Sequence, residues 1–144
     1  MPEELAVVPA LMSTPWVKEK ARTSLCTCTM SPNGGNAERV TFTGSYNISP
    51  AISPDGRWMA YVSRVGGAFR LHVMELATGT VTPITETTAD ESPSFAPNSR
   101  LIVYATQQQG REALMTTTLD GKIKAKLSGA SGDIREPDWG PFQR

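Results

Sequence analysis

From about residue 49 onward, short apolar stretches alternate with clusters of Gly, Pro, Asn, Asp and Ser, the pattern of strands separated by turns. Arg57 to Ser63 is the clearest stretch. Trp58, Ala60 and Val62 fall on one face of a strand, Met59 and Tyr61 on the other. With both faces apolar, such a strand must be covered on two sides; a sheet wetted on one side alternates apolar with polar. Around it the punctuation predicts three partners. A first strand, about Ala51 to Ser53, ends at Pro54-Asp55-Gly56, where Pro presets φ and Gly accepts a positive φ. Gly66-Gly67 leads to a third strand, Phe69 to Leu76, and Thr78-Gly79 to a fourth, Thr80 to Thr85.

The unit repeats. Ser49–Ser63 recurs as Ser92–Thr106 at an offset of 43, and Glu136-Pro137-Asp138-Trp139-Gly140-Pro141 begins another copy 44 residues after Ser92. Upstream, Asn33-Gly34 and Val40 lie 87 residues before Asp120-Gly121 and Leu127, as the tail of a preceding copy. A period of 43 to 44 matches a four-stranded propeller blade. The expected fold is all-β, a partial β-propeller: a blade tail at 30–48, blades at 49–91 and 92–135, and the first strand of a closing blade at 136–144. Residues 1–29 carry no matching turn and apolar strand. Val17 to Ser24, with Lys18, Glu19, Lys20 and Arg22, suits a short polar helix or a loose segment, and the terminus is expected to be disordered.

Composition narrows the chemistry. Fourteen Lys and Arg balance fourteen Asp and Glu, leaving no basic excess for a nucleic-acid backbone. No apolar run approaches the roughly 20 residues of a membrane span, and the acidic start Met1-Pro2-Glu3-Glu4 is unlike a secretory signal. Cys26 and Cys28 are too close for an ordinary disulfide and too few for a zinc site. His72, the one histidine, sits mid-strand without a nucleophile or orienting partner in the pattern, and Gly129-Ala130-Ser131-Gly132 lacks the spacing of a nucleophile elbow. Asp55-Gly56 and Asn98-Ser99 read as turn chemistry, Trp58 and Trp139 as core packing. No catalytic residue, cofactor or metal site is expected.

The informative polar residues lead into each first strand. In a propeller that strand lines the axial channel, so the loops before it converge at one mouth. Tyr46, Asn47 and Ser49, then Asp90, Glu91 and Ser92, then Arg135 and Glu136 occupy these loops. They differ between copies while Pro50, Pro93 and Pro137 recur, which fits a partner-binding rim on a constant scaffold.

Ser53-Pro54-Asp55-Gly56-Arg57-Trp58-Met59-Ala60-Tyr61-Val62-Ser63 is similar to the WD40-like repeats of bacterial propellers. Together with Gly44-Ser45-Tyr46-Asn47-Ile48-Ser49-Pro50, Asp90-Glu91-Ser92-Pro93-Ser94-Phe95-Ala96-Pro97-Asn98 and the terminal Glu136-Pro137-Asp138-Trp139-Gly140-Pro141, it resembles the C-terminal end of the TolB family. That resemblance implies a periplasmic, non-catalytic protein of the Tol–Pal envelope system, with a six-bladed propeller behind a smaller α/β domain. It further implies binding of the peptidoglycan-associated lipoprotein at one mouth, contacts with other Tol proteins, exploitation by bacteriocins, and a part in outer-membrane integrity and constriction during division. Against that family the chain is missing the export signal, the α/β domain and most blades, and the abrupt change near Met30 suggests a truncated or frame-shifted reading of a longer gene. A gating propeller of a prolyl-peptidase-like hydrolase is the alternative, and would want a hydrolase pattern downstream. A metal-holding propeller enzyme would want inward polar ligands where these first strands offer Ile52, Ser53 and Phe95. An incomplete ring exposes strand edges, so the chain expressed alone is expected to be weakly stable or associated.

Overall fold

The computed structural model describes residues 6–12, 24–31, 33, 34, 36–44, 46–127 and 132–141. Every regular element among them is a β-strand, and none of the described residues forms a helix able to cross a membrane. Strands β1 (Ala6–Met12), β2 (Ser24–Met30) and β3 (Glu38–Arg39) make a three-stranded sheet in that order. β4 (Asn47–Ile52), β5 (Trp58–Val65), β6 (Ala68–Glu75) and β7 (Val81–Pro83) make a four-stranded meander. β8 (Glu91–Phe95), β9 (Leu101–Gln108), β10 (Arg111–Thr118) and β11 (Lys124–Lys126) repeat it. All neighbours within the sheets pair antiparallel. These are blades, as the period predicted.

The two-faced apolar pattern of β5 has its expected cause. Met59, Tyr61 and Met74 pack on one side with Val40, Ile52, Leu76 and Val81. On the other side Ala60, Leu71, Val73 and Ile84 meet Phe95, Ile102, Tyr104 and Met115 of the next blade. The middle sheet is therefore sandwiched, and burial on both faces drives the stacking. β4 and β8, the innermost strands of their sheets, lie side by side, and β1 and β2 lie against β4 as β5 and β6 lie against β8.

Backbone bonds show that the first sheet belongs to the same series. The N–H of Val40 reaches the carbonyl of Thr27 at 3.0 Å, that of Ile84 reaches Leu71 at 2.9 Å, and that of Leu127 reaches Leu114 at 2.9 Å. The Thr41 hydroxyl accepts from the Thr27 N–H at 2.9 Å, as the Thr85 hydroxyl does from Leu71 at 2.9 Å. β2 and β3 thus correspond to β6 and β7, and β1 corresponds to β5. Among the described residues this first sheet has no counterpart of β4.

Two expectations need correction. Residues 1–29, expected to be loose, contain β1 and most of β2, paired from Ala6 with Met30 to Met12 with Ser24. Their pattern hid this because the hairpin does not keep the repeat's spacing; residues 17–23 of the expected polar helix lie outside the described residues. The first strand of the blade also starts earlier than Ala51. Ser49 and Ser92 adopt φ of 51° and 50°, and a bulge between Ile48 and Ala51, or Glu91 and Ser94, carries the strand past its proline.

Candidate partner-binding rim

Because successive strands reverse direction, the turn from β5 to β6 opens at the same end of the blade as the loop leading into β4. The Arg64 N–H bonds the Tyr46 carbonyl at 2.9 Å. The Tyr46 ring meets Phe69 edge-on, centroids 5.8 Å apart, and the Arg64 guanidinium lies 5.9 Å from the Phe69 ring. Tyr46 is 36% exposed, so this cation and two rings make a partly apolar patch on the surface.

At the corresponding end of the next blade, Glu91 and Arg135 line a small pocket of about 90 Å³ with Gln107, Glu112 and Ile134. Arg135 forms ion pairs with Glu112 and Asp133, both at 3.9 Å, and Glu112 also accepts the Ile134 N–H at 2.5 Å. Glu136 is exposed beside them. Arg64, Phe69, Gln107 and Glu112 were not singled out from sequence. The signal was there: they flank the Gly66-Gly67 and Gln109-Gly110 turns, which strand parity sends to the same mouth.

Asp90 and Asn47 behave otherwise than expected of rim contacts. Asp90 is buried, and its carboxylate accepts from the Leu71 N–H at 3.1 Å, Thr87 at 2.5 Å, Thr106 at 2.6 Å and the Thr85 hydroxyl. It joins one blade's β6 and the segment after β7 to the next blade's β9. Asn47, one repeat earlier, is buried too, and its amide nitrogen donates to the Thr43 carbonyl at 3.1 Å. Their side chains bind the fold rather than a visitor. Ser49 and Ser92 are half-buried and act through backbone: with Glu136 at φ 49°, the three form the same left-handed kink ahead of a proline. Tyr46, Glu91, Arg135 and Glu136 are left as the predicted residues able to meet a partner.

The remaining candidates are structural. Asp55 accepts from the Ser53 hydroxyl at 2.5 Å and the Arg57 N–H at 3.0 Å, while Asn98 accepts from the Arg100 N–H at 3.0 Å, both bracing turns. Burial pushes the Asp55 carboxyl up, but the Ser53 and Arg57 bonds outweigh it and hold it below its ordinary value. His72 stacks on Tyr61 at 5.7 Å and 24°, with Nδ1 3.0 Å from the Arg70 carbonyl. Trp58 is half-buried against the larger core cluster. The described residues contain no group of three His, Cys, Asp or Glu placed to hold a metal ion.

Successive four-stranded meanders, innermost strands side by side and a polar mouth at one end, define a β-propeller module. The family described as TolB beta propeller domain matches residues 27–143, and the chain belongs to that family. It is 93% identical over 68 residues to the Tol-Pal system protein TolB of Polaromonas sp. strain JS666, covering 47% of this chain and 16% of that protein. It is 49% identical over 108 residues to the protein of the same name from Nitrosospira multiformis, covering 75% of this chain and 25% of that protein. The crystal structure of TolB from Acinetobacter baumannii superposes with a TM-score of 0.75 at 36% identity, over 83% of this chain and 30% of that one. The chain thus spans about a sixth to a quarter of the length of these curated relatives.

Proposed function

We propose that the chain is a non-catalytic protein-binding module of the Tol–Pal system, working in the periplasm by docking the peptidoglycan-associated lipoprotein on its rim. Membership of the TolB propeller family carries this reading. The rim adds physical support. Tyr46, Arg64 and Glu91 sit at the ends of packed strands and Arg135 is tied by its ion pair to Glu112 of β10, so this surface is held in place before a partner arrives and little conformational entropy is lost on docking. Rings beside a cation, and opposed charges around a small concavity, suit a mixed apolar and polar protein surface. Through that contact the module would support outer-membrane integrity and constriction during division, and the other Tol proteins and bacteriocins are candidates for the same face.

The test is a pull-down of the soluble domain of the lipoprotein with this chain and with a version carrying the remaining blades. Retention by the completed propeller supports the reading. No retention by either form overturns it.

A further inference from the structure

The boundary between the two four-stranded sheets holds a cleft of about 780 Å³, within the size range of small-molecule sites. Its walls come from β6, β9, β10 and β11 and from the segment that leaves β7, so both flanks belong to whole four-stranded sheets. It shares no lining residue with the pocket of Glu91 and Arg135, and its role is separate from lipoprotein docking.

Two polar side chains of the cleft are short of partners. Tyr104 is 1% exposed, yet no hydrogen bond reaches its hydroxyl among the described residues. Burial, reinforced by the Asp90 charge, raises this phenol to about 12, so near neutral pH it keeps its proton and can donate it. Arg70 makes no ion pair among the described residues, and its Nε is buried without an acceptor. Buried donors are nearly always satisfied, so two of them left open on one cavity point to a ligand that brings acceptors.

Charge narrows the class of ligand. Arg70 and Lys124 line the cleft against the single carboxylate of Glu86, which leaves one net positive charge. Lys124 gives its ammonium to the Gly121 carbonyl at 2.6 Å, so Arg70 is the cation left to recognise an anion. Pro83, Ile84 and Met115 add apolar wall.

We propose that this cleft binds a small apolar monocarboxylate, with its hydrocarbon chain against Pro83, Ile84 and Met115 and its carboxylate held by the Arg70 guanidinium and the Tyr104 hydroxyl. A planar guanidinium takes both oxygens of a carboxylate, and one negative charge matches the net charge of the cleft where a phosphate dianion would exceed it.

Calorimetric titration of octanoate into a propeller carrying the remaining blades should show saturable binding, with octanamide, its neutral isostere, at least about tenfold weaker. Arg70→Gln and Tyr104→Phe should each weaken octanoate about tenfold. Tyr104→Phe should do so without lowering the melting temperature, because the hydroxyl has no partner in the fold to lose. Glu86→Gln should bind octanoate at least as tightly as the parent. Failure to saturate by about 10 mM octanoate overturns the proposal, as does equal binding of octanamide or unchanged binding by either weakening variant. A lowered melt for Tyr104→Phe also overturns it, since the hydroxyl would then serve the fold.

Discussion

The Asp90 carboxylate and the Thr106 hydroxyl, 2.6 Å apart and buried, join the start of one blade to its second strand while the same carboxylate reaches back to Leu71 of the blade before. Asp90→Ala would leave three threonine hydroxyls short of a partner inside the protein. The expected loss is about 3 kcal/mol or more, read as a lowered urea midpoint. Asp90→Asn should be milder, since Asn47 fills the equivalent place one repeat earlier. Glu91→Ala, next door but half-buried, should shift the midpoint little, and a large shift would mean the rim and the interior are not separable there.

The rim assignment makes its own prediction. Glu91→Ala with Arg135→Ala in a complete propeller should weaken lipoprotein binding at least tenfold, about 1.4 kcal/mol, without moving the melting temperature. Calorimetric titration reads the first and a thermal melt the second.

Two glycines separate strain from contact. A Cβ on Gly121 would come 2.8 Å from the Ile84 carbonyl oxygen of the neighbouring blade, at φ 69°, whereas one on Gly56 at φ 73° meets nothing within 4 Å. Gly56→Ala should cost about 1 kcal/mol from the left-handed backbone alone. Gly121→Ala should cost clearly more, by about 1 to 3 kcal/mol, because backbone must move. Equal melts for the two would contradict the close approach of the blades at Ile84.

Tyr61 and Tyr104 give a pH dependence with a definite sign. Burial raises the Tyr61 hydroxyl to about 12, and burial reinforced by the Asp90 charge raises Tyr104 to about 12. The unfolded phenol ionises near 10, so the folded state favours the neutral form. The stabilisation is whole below pH 10 and is lost as pH rises from there through about 12. Circular dichroism should report unfolding in that window, and Tyr61→Phe with Tyr104→Phe should move it to higher pH.

The kink before each proline predicts a residue preference. Ser92 at φ 50° is tolerable for a small side chain, while a β-branched one is strained there. Ser92→Val should lose about 1 to 2 kcal/mol, with Ser92→Gly close to neutral, in paired denaturation curves.

Much of this was legible from residues. The apolar pattern of Trp58–Ser63 and its recurrence at Leu101–Thr106 carry the blade, because two-sided burial leaves a periodic trace. Less legible was the part written in geometry. Asp90 and Glu91 are adjacent acidic residues in a loop, and composition cannot tell that one turns inward to four donors while the other lines the mouth. Phe69 and Glu112 reach the rim through strand parity, which a list of loop residues overlooks. The β1–β2 hairpin departs from the repeat length, so self-comparison missed it.

The carboxylate of Asp90 binds groups from both sides of a blade boundary, so the energetic unit of this molecule is the seam, out of phase with the sheet. A deletion of one whole period restores the order of strands at the boundary and leaves either Asp90 or Asn47 at the joint, according to where it is cut. A cut of any other length orphans a seam. Gain and loss of blades during the history of such a chain should therefore proceed in full steps of the repeat, with the starting point of each step left free.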